Sequence, residues 1–174
     1  MQKIGVFAGA FDPVHKGHSE FVAEVIAKYH LDKVFVLVEK NSRHKKLIAG
    51  YAHRKKMAGL AFSGAPKVQI YAHNFNYYPI SNFLPRLKVE NPRAKIYLLI
   101  GEDVAGHISS WRGAKHLLDG VEIIVAERNI PKSSSRISSL KIRNEIKAGR
   151  QTNGLDGKVL KYIKEHGLYT NSGE

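Results

Sequence analysis

The stretch Gly9-Ala10-Phe11-Asp12-Pro13-Val14-His15-Lys16-Gly17-His18 decides the fold, because it joins two runs of different periodicity. Upstream, Ile4-Gly5-Val6-Phe7-Ala8 is almost wholly apolar, the pattern of a strand covered on both faces of a parallel sheet. Downstream, Phe21, Val22, Val25 and Ile26 recur at helical spacing, and the run ends near Tyr29. Between the two, Gly9 and Gly17 permit tight turns and close approach to a ligand, and Asp12-Pro13 signals a turn. The helix is therefore expected to start close to His15 and His18, with its first free N–H groups and positive dipole end beside both imidazoles. Positions i and i+3 share a helix face, so the two rings can reach one anion. A chain that builds this turn is expected to handle phosphate.

Two plainer uses of the histidines compete with that reading. They can be ordinary helix-start residues, or they can ligate a metal. Paired zinc histidines on a helix usually sit four apart around a Glu, and the chain has no Cys, so no protein-ligated metal is expected.

Around this turn, strand-like runs recur at about 4–8, 33–39, 67–71, 95–100 and 121–126. Helices are expected near 18–29, 53–63, 80–90, 112–119, 138–148 and 155–166, with Pro85 breaking or kinking the third. This alternation predicts an α/β fold, a Rossmann-like doubly wound parallel sheet of about five strands with helices on both faces. Ligands in such a sheet sit beyond the carboxyl ends of the strands, where strand order reverses. No internal repeat or linker divides the chain, so residues 1–170 are expected to form a single domain and 171–174 a disordered tail.

At 174 residues the chain is long enough to bury about 70% of its unfolded surface in one core. No apolar run approaches the roughly 20 residues needed to cross a bilayer, and no membrane partner is expected. An early strand leaves no room for a secretion signal, and zero Cys excludes disulfides; both favour a cytoplasmic location. A net charge of +13 points to anionic partners. Arg43-His44-Lys45-Lys46 and His53-Arg54-Lys55-Lys56 are the densest basic clusters, readable either as solvated surface or as phosphate contacts. A P-loop NTPase is disfavoured because Gly-x-x-x-x-Gly-Lys-[Ser/Thr] is missing, and a dehydrogenase because Gly-x-Gly-x-x-Gly is missing after the first strand.

A second stretch, Arg136-Ile137-Ser138-Ser139-Leu140-Lys141-Ile142-Arg143, opens an amphipathic run containing Ile142 and Ile146. Ser138 or Ser139 can cap that helix, and Arg143 adds a planar fork suited to phosphate oxygens. Taken alone, simple helix capping explains the serines as well.

Together the two stretches resemble the signatures of the nucleotidylyltransferase superfamily, whose first motif is His-x-Gly-His and whose second is Ile-Ser-Ser-Thr-x-Ile-Arg. The longer match through Phe11-Asp12-Pro13, with Trp111 and the ending Gly167-Leu168-Tyr169, most resembles the bacterial nicotinate mononucleotide adenylyltransferases. The resemblance implies transfer of AMP from ATP to the phosphate of nicotinate mononucleotide or its amide, with release of pyrophosphate, in NAD biosynthesis. It implies Mg²⁺ carried by the ATP phosphates. It assigns catalysis to His15, His18 and Lys45, with His44 a weaker candidate beside Lys45. ATP contacts fall on Gly9, Ala10, Phe11, His18, Gly101, Asp103, Ser138, Ser139 and Arg143, and acceptor contacts on Asp12, Tyr78 and Trp111. Trp111 serves equally as a core anchor, and Asp103 as a turn residue.

Departures at Ala10, at Leu140 in place of Thr, and around Tyr78 leave room for a different acceptor. Pantetheine-phosphate adenylyltransferases and cytidylyltransferases are the nearest rivals. A non-catalytic RNA- or nucleotide-binding module is the rival of another class, resting on the charge, although nucleic acid is not the expected partner. The oligomeric state stays open, a homo-oligomer included.

Overall fold

The computed structural model describes residues 1–43, 46–111, 113–126 and 137–170, with the main chain only at Asp103. Five strands, β1 (Lys3–Gly9), β2 (Lys33–Val38), β3 (Val68–Ile70), β4 (Lys95–Gly101) and β5 (Val121–Ala126), form one sheet in the order β3-β2-β1-β4-β5. Every pairing is parallel. The order reverses at β1, whose neighbours are β2 on one side and β4 on the other. The crevice beyond Gly9 and Gly101 is therefore the ligand position that such a sheet dictates.

Continuous apolarity in the strands is explained by two covered faces. Phe7, Val34, Val36, Tyr97 and Leu99 point to one, where α1 (Lys16–Tyr29), α2 (Tyr51–Ala61), α6 (Ser139–Lys147) and α7 (Gly157–Glu165) pack through Phe21, Val22, Met57, Ile142, Val159 and Ile163. Ile4, Val6, Leu37, Ile96, Leu98 and Ile100 point to the other, beneath α3 (Pro79–Glu90) and α5 (Ala114–Leu118). Burying each such side chain stabilises the fold by about 1.5–3 kcal/mol before entropy is charged.

One helix expectation needs correction. Pro85 neither breaks nor ends α3, which runs on to Glu90. Its ring lies on the exposed side while Phe83, Leu84 and Leu87 are buried, so the lost hydrogen bond falls where water can satisfy the orphaned carbonyl. The helix expected at 112–119 forms in shortened form, preceded by two elements the sequence did not signal: along the chain run a short α4 (Glu102–Ala105), a 3₁₀ turn (Ile108–Ser110) and the five residues of α5. Gly113 at φ 72 separates the last two, since helical continuation requires a negative φ.

Candidate active site

The first motif folds as its flanks dictate. β1 ends at Gly9, and His15, in extended conformation at φ −139, is the residue before the first turn of α1. The imidazoles of His15 and His18 stack with centroids 3.7 Å apart and planes 26° apart. The His15 main-chain N–H donates to His18 Nδ1 at 3.1 Å. That bond makes Nδ1 the acceptor nitrogen, so a neutral His18 carries its proton on Nε2. Nδ1 of His15 is buried without a hydrogen-bond partner. Burial lowers the pKa of this ring to about 4, so it is neutral near pH 7. Phe11 lies edge-on to His18 at 5.1 Å and to Phe7 at 5.3 Å, forming an aromatic floor under the histidine pair.

The glycines act through space rather than turning. Neither Gly9 nor Gly17 has a positive φ. A Cβ on Gly17 meets the His15 ring at 3.2 Å, and one on Gly9 meets the Phe11 ring at 3.1–3.3 Å. The small residue inside His-x-Gly-His thus makes room for the first imidazole.

The expected comb of free amides at the start of α1 is also narrower than the sequence implies. Lys16 N–H donates to the Gly154 carbonyl at 2.9 Å, and His18 N–H to the His15 carbonyl at 2.9 Å. What remains for an anion there is the Gly17 amide, the helix dipole and the imidazole donors.

The second motif docks on the first. Ser138 caps α6 by accepting from Lys141 N–H at 3.2 Å. Ser139 Oγ donates to the Pro13 carbonyl at 2.8 Å, and Arg143 Nη1 to the Asp12 carbonyl at 2.5 Å. The amino ends of α1 and α6 are thereby joined at the carboxyl end of β1.

Other expected residues are placed less uniformly. Gly101 ends β4, beside β1. Ala10 offers its carbonyl to Arg54 at 2.8 Å. Trp111 is half-buried and packs against the α3-side core, as Ile108 and Val104 also do. Tyr78 is 52% exposed at the start of α3, with the Arg43 guanidinium 5.8 Å from its ring and 4.9 Å from that of Tyr77. Asp12 turns away from the crevice: only 4% exposed, its carboxylate accepts from Ile48 N–H, Ala49 N–H and the Tyr169 hydroxyl. Lys45 with His44, the Asp103 side chain and the tail 171–174 lie outside the described residues.

Arg54 is the residue that sequence reasoning misplaced. Neither solvated nor turned to phosphate, it is 1% exposed and donates to the carbonyls of Ala10, Glu39, Lys40 and Ala49 at 2.6–3.0 Å. Desolvation lowers its pKa, opposed by the nearby Asp12 charge. Its place among His53, Lys55 and Lys56 disguised it; the available signal was helical phase, since Arg54 shares the inner face of α2 with Met57 and Ala58.

A Rossmann-like parallel sheet, with paired imidazoles and a serine–arginine helix start brought together where strand order reverses, defines the chain as a nucleotidyltransferase. The cytidylyltransferase-like family matches residues 6–145, and the chain belongs to that family. Among its relatives, the "Probable nicotinate-nucleotide adenylyltransferase" of Albidiferax ferrireducens is 34% identical over 132 residues, 74% of this chain and 67% of that protein. The nicotinate-nucleotide adenylyltransferase of Bacillus subtilis is 28% identical over 189 residues, covering 97% of this chain and 99% of its own. The fold is that of the Plasmodium falciparum nicotinic acid mononucleotide adenylyltransferase solved with NaAD, at TM-score 0.78, 18% identity, and coverage of 97% and 98% of the two chains.

Proposed function

We propose that this chain transfers AMP from ATP to the phosphate of nicotinate mononucleotide or its amide, releasing pyrophosphate, as a step of NAD biosynthesis in the cytoplasm. Residues 1–170 act as one catalytic domain. Relatives named for this activity that align along nearly the whole chain support the reading. The observation that carries it is the stacked His15–His18 pair, held at the start of α1 against the start of α6.

In this reaction an acceptor phosphate oxygen attacks the α-phosphorus of ATP, and the bond to the β-phosphate oxygen breaks as pyrophosphate leaves. The chain's task is to position the reactants and to neutralise charge growing on the phosphate oxygens. His18 donates from Nε2 to the α-phosphate, its ring orientation set by the His15 amide. His15, kept neutral by burial, packs against that ring and donates from its other nitrogen without adding a second buried cation. Ser138, Ser139 and Arg143 hold the β- and γ-phosphates at the start of α6, and Lys45 approaches the reacting phosphate. Gly9, Ala10, Phe11, Gly101 and Asp103 border the nucleotide, and Tyr78 and Trp111 the acceptor.

Imidazoles, hydroxyls and a guanidinium suit phosphate oxygens better than a hard cation. Among the described residues no group of three or more His, Cys, Asp or Glu side chains is placed to hold a metal ion. We place Mg²⁺ on the ATP phosphates, where it would supply positive charge beside the leaving pyrophosphate.

Pyrophosphate release with ATP and nicotinate mononucleotide, nicotinamide mononucleotide or phosphopantetheine tests the reading. Turnover is expected with a pyridine mononucleotide, and His18→Ala is expected to lower it about 10²-fold or more at saturating substrates. Turnover with phosphopantetheine alone reassigns the acceptor. Near-normal turnover of His18→Ala removes the catalytic role of that residue.

A further inference from the structure

Asp12 lies within the histidine turn, yet its side chain serves the interior. Oδ2 accepts from Ile48 N–H at 2.6 Å, while Oδ1 accepts from Ala49 N–H at 3.1 Å and from the Tyr169 hydroxyl at 2.7 Å. A buried carboxylate is tolerated only when donors replace its water, and here two come from the segment after β2 and one from the carboxyl-terminal part of the chain. Arg54 ties the turn to the segment after β2 a second time, through the carbonyls of Ala10 on the turn and of Glu39, Lys40 and Ala49 on the segment.

Tyr169 is built to stay where it is. It is 8% exposed and holds φ 63, a left-handed conformation that a tyrosine keeps only when its surroundings enforce it. Burial first, and the adjacent Asp12 second, raise its pKa far above the ordinary phenol range. Its hydroxyl is therefore a proton donor throughout any working pH. The atom it meets belongs to a residue whose main-chain carbonyl also receives Arg143, three residues before His15.

We infer that Tyr169 is a positioning residue for nucleotidyl transfer: its hydroxyl, acting through the Asp12 carboxylate, orients the turn that carries His15 and His18. The inference rests on the adenylyl-transfer reading and adds a residue 157 positions away from the one it acts through. No contact between Tyr169 and substrate is involved.

Tyr169→Phe removes one oxygen and leaves the ring in the core. We expect kcat to fall about 10-fold or more, because small displacements of reacting groups are costly. KM for ATP should stay within about twofold, as for a loss felt in the transition state. The melting temperature should drop by no more than about 8 °C. The imidazole NMR resonances of His15 and His18 should move. Combined with Asp12→Asn, which replaces the charge and one acceptor oxygen with an amide and so weakens the same linkage, the tyrosine substitution should add less than it does alone. If the phenylalanine variant does not fold, Asp12→Asn carries the same kcat and resonance readouts.

A wild-type chain inert with every acceptor overturns the adenylyl-transfer reading and this inference with it. An active wild type whose Tyr169→Phe variant keeps its kcat overturns the inference alone. So does a fall in kcat with the imidazole resonances unmoved, because the effect then bypasses the turn.

Discussion

Ser139 Oγ donates to the Pro13 carbonyl at 2.8 Å, a hydrogen bond between residues 126 positions apart that seats the start of α6 on the turn before α1. Arg143 reinforces it one turn later by donating to Asp12 O. Two helix starts that each favour an anion are thereby made to face one place.

Removing that bond separates the contributions of contact and chemistry. Ser139→Ala is expected to cost about 1 kcal/mol of stability, the usual net value of one hydrogen bond. Transition-state stabilisation should suffer more, with kcat/KM for ATP falling about 10-fold or further if the hydroxyl also meets phosphate. Denaturant unfolding and steady-state kinetics on one preparation distinguish the two losses; equal, small losses leave Ser139 a structural residue only.

Gly17 is a steric test of the imidazole pair. The alanine Cβ lies 3.2 Å from Cε1 and Nδ1 of His15, so the ring must give way by a few tenths of an ångström. Gly17→Ala is expected to lower kcat about 10-fold or more through that displacement. Little stability should be lost, because alanine is the better helix former by about 1 kcal/mol. Unchanged kcat shows that the pair tolerates the shift.

His15 makes stability depend on pH in a definable window. Its folded pKa is about 4 against the 6.5 of an ordinary imidazole, so between these values the unfolded chain binds more protons. The contribution is fully present above about pH 6.5 and is lost progressively as pH falls toward 4. Its ceiling is about 3 kcal/mol, less whatever solvent reaching the half-buried ring screens. Urea unfolding at pH 7.5 and pH 5 should show the decline, and His15→Gln should make the profile flatter. Identical profiles remove the claim.

Arg54 is expected to matter to folding more than any other basic residue of its cluster. Arg54→Ala leaves four main-chain carbonyls without their donor and the buried Asp12 without its nearby positive charge. A loss of about 3–5 kcal/mol is expected from stripping one partner of a buried charged network. Lys56→Ala, on the exposed side of the same helix, should change stability by less than about 0.5 kcal/mol. Comparable losses in the two variants contradict the assignment.

The run Ile4–Ala8, the helical phase of Phe21, Val22 and Val25, and the serines before Ile142 were readable in the linear chain because each pattern is local. The same holds for the parallel α/β class, since strand and helix periodicities alternate in order. Pro85 misled because its cost depends on which helix face meets water, and only the packing of Phe83, Leu84 and Leu87 decides that. Lys55 and Lys56 disguised Arg54 for a related reason: composition cannot show that four carbonyls from three separate stretches converge on one guanidinium.

By itself, then, the sequence determined most of the elements, their order along the chain, and the two motifs, all of which arise from interactions between residues a few positions apart. Tertiary structure alone decided that Asp12 turns inward to Tyr169, that Arg54 is buried, and that Ser139 meets Pro13. Those outcomes depend on desolvation and on donors brought from distant parts of the chain, and neither is defined until the sheet has closed its two faces.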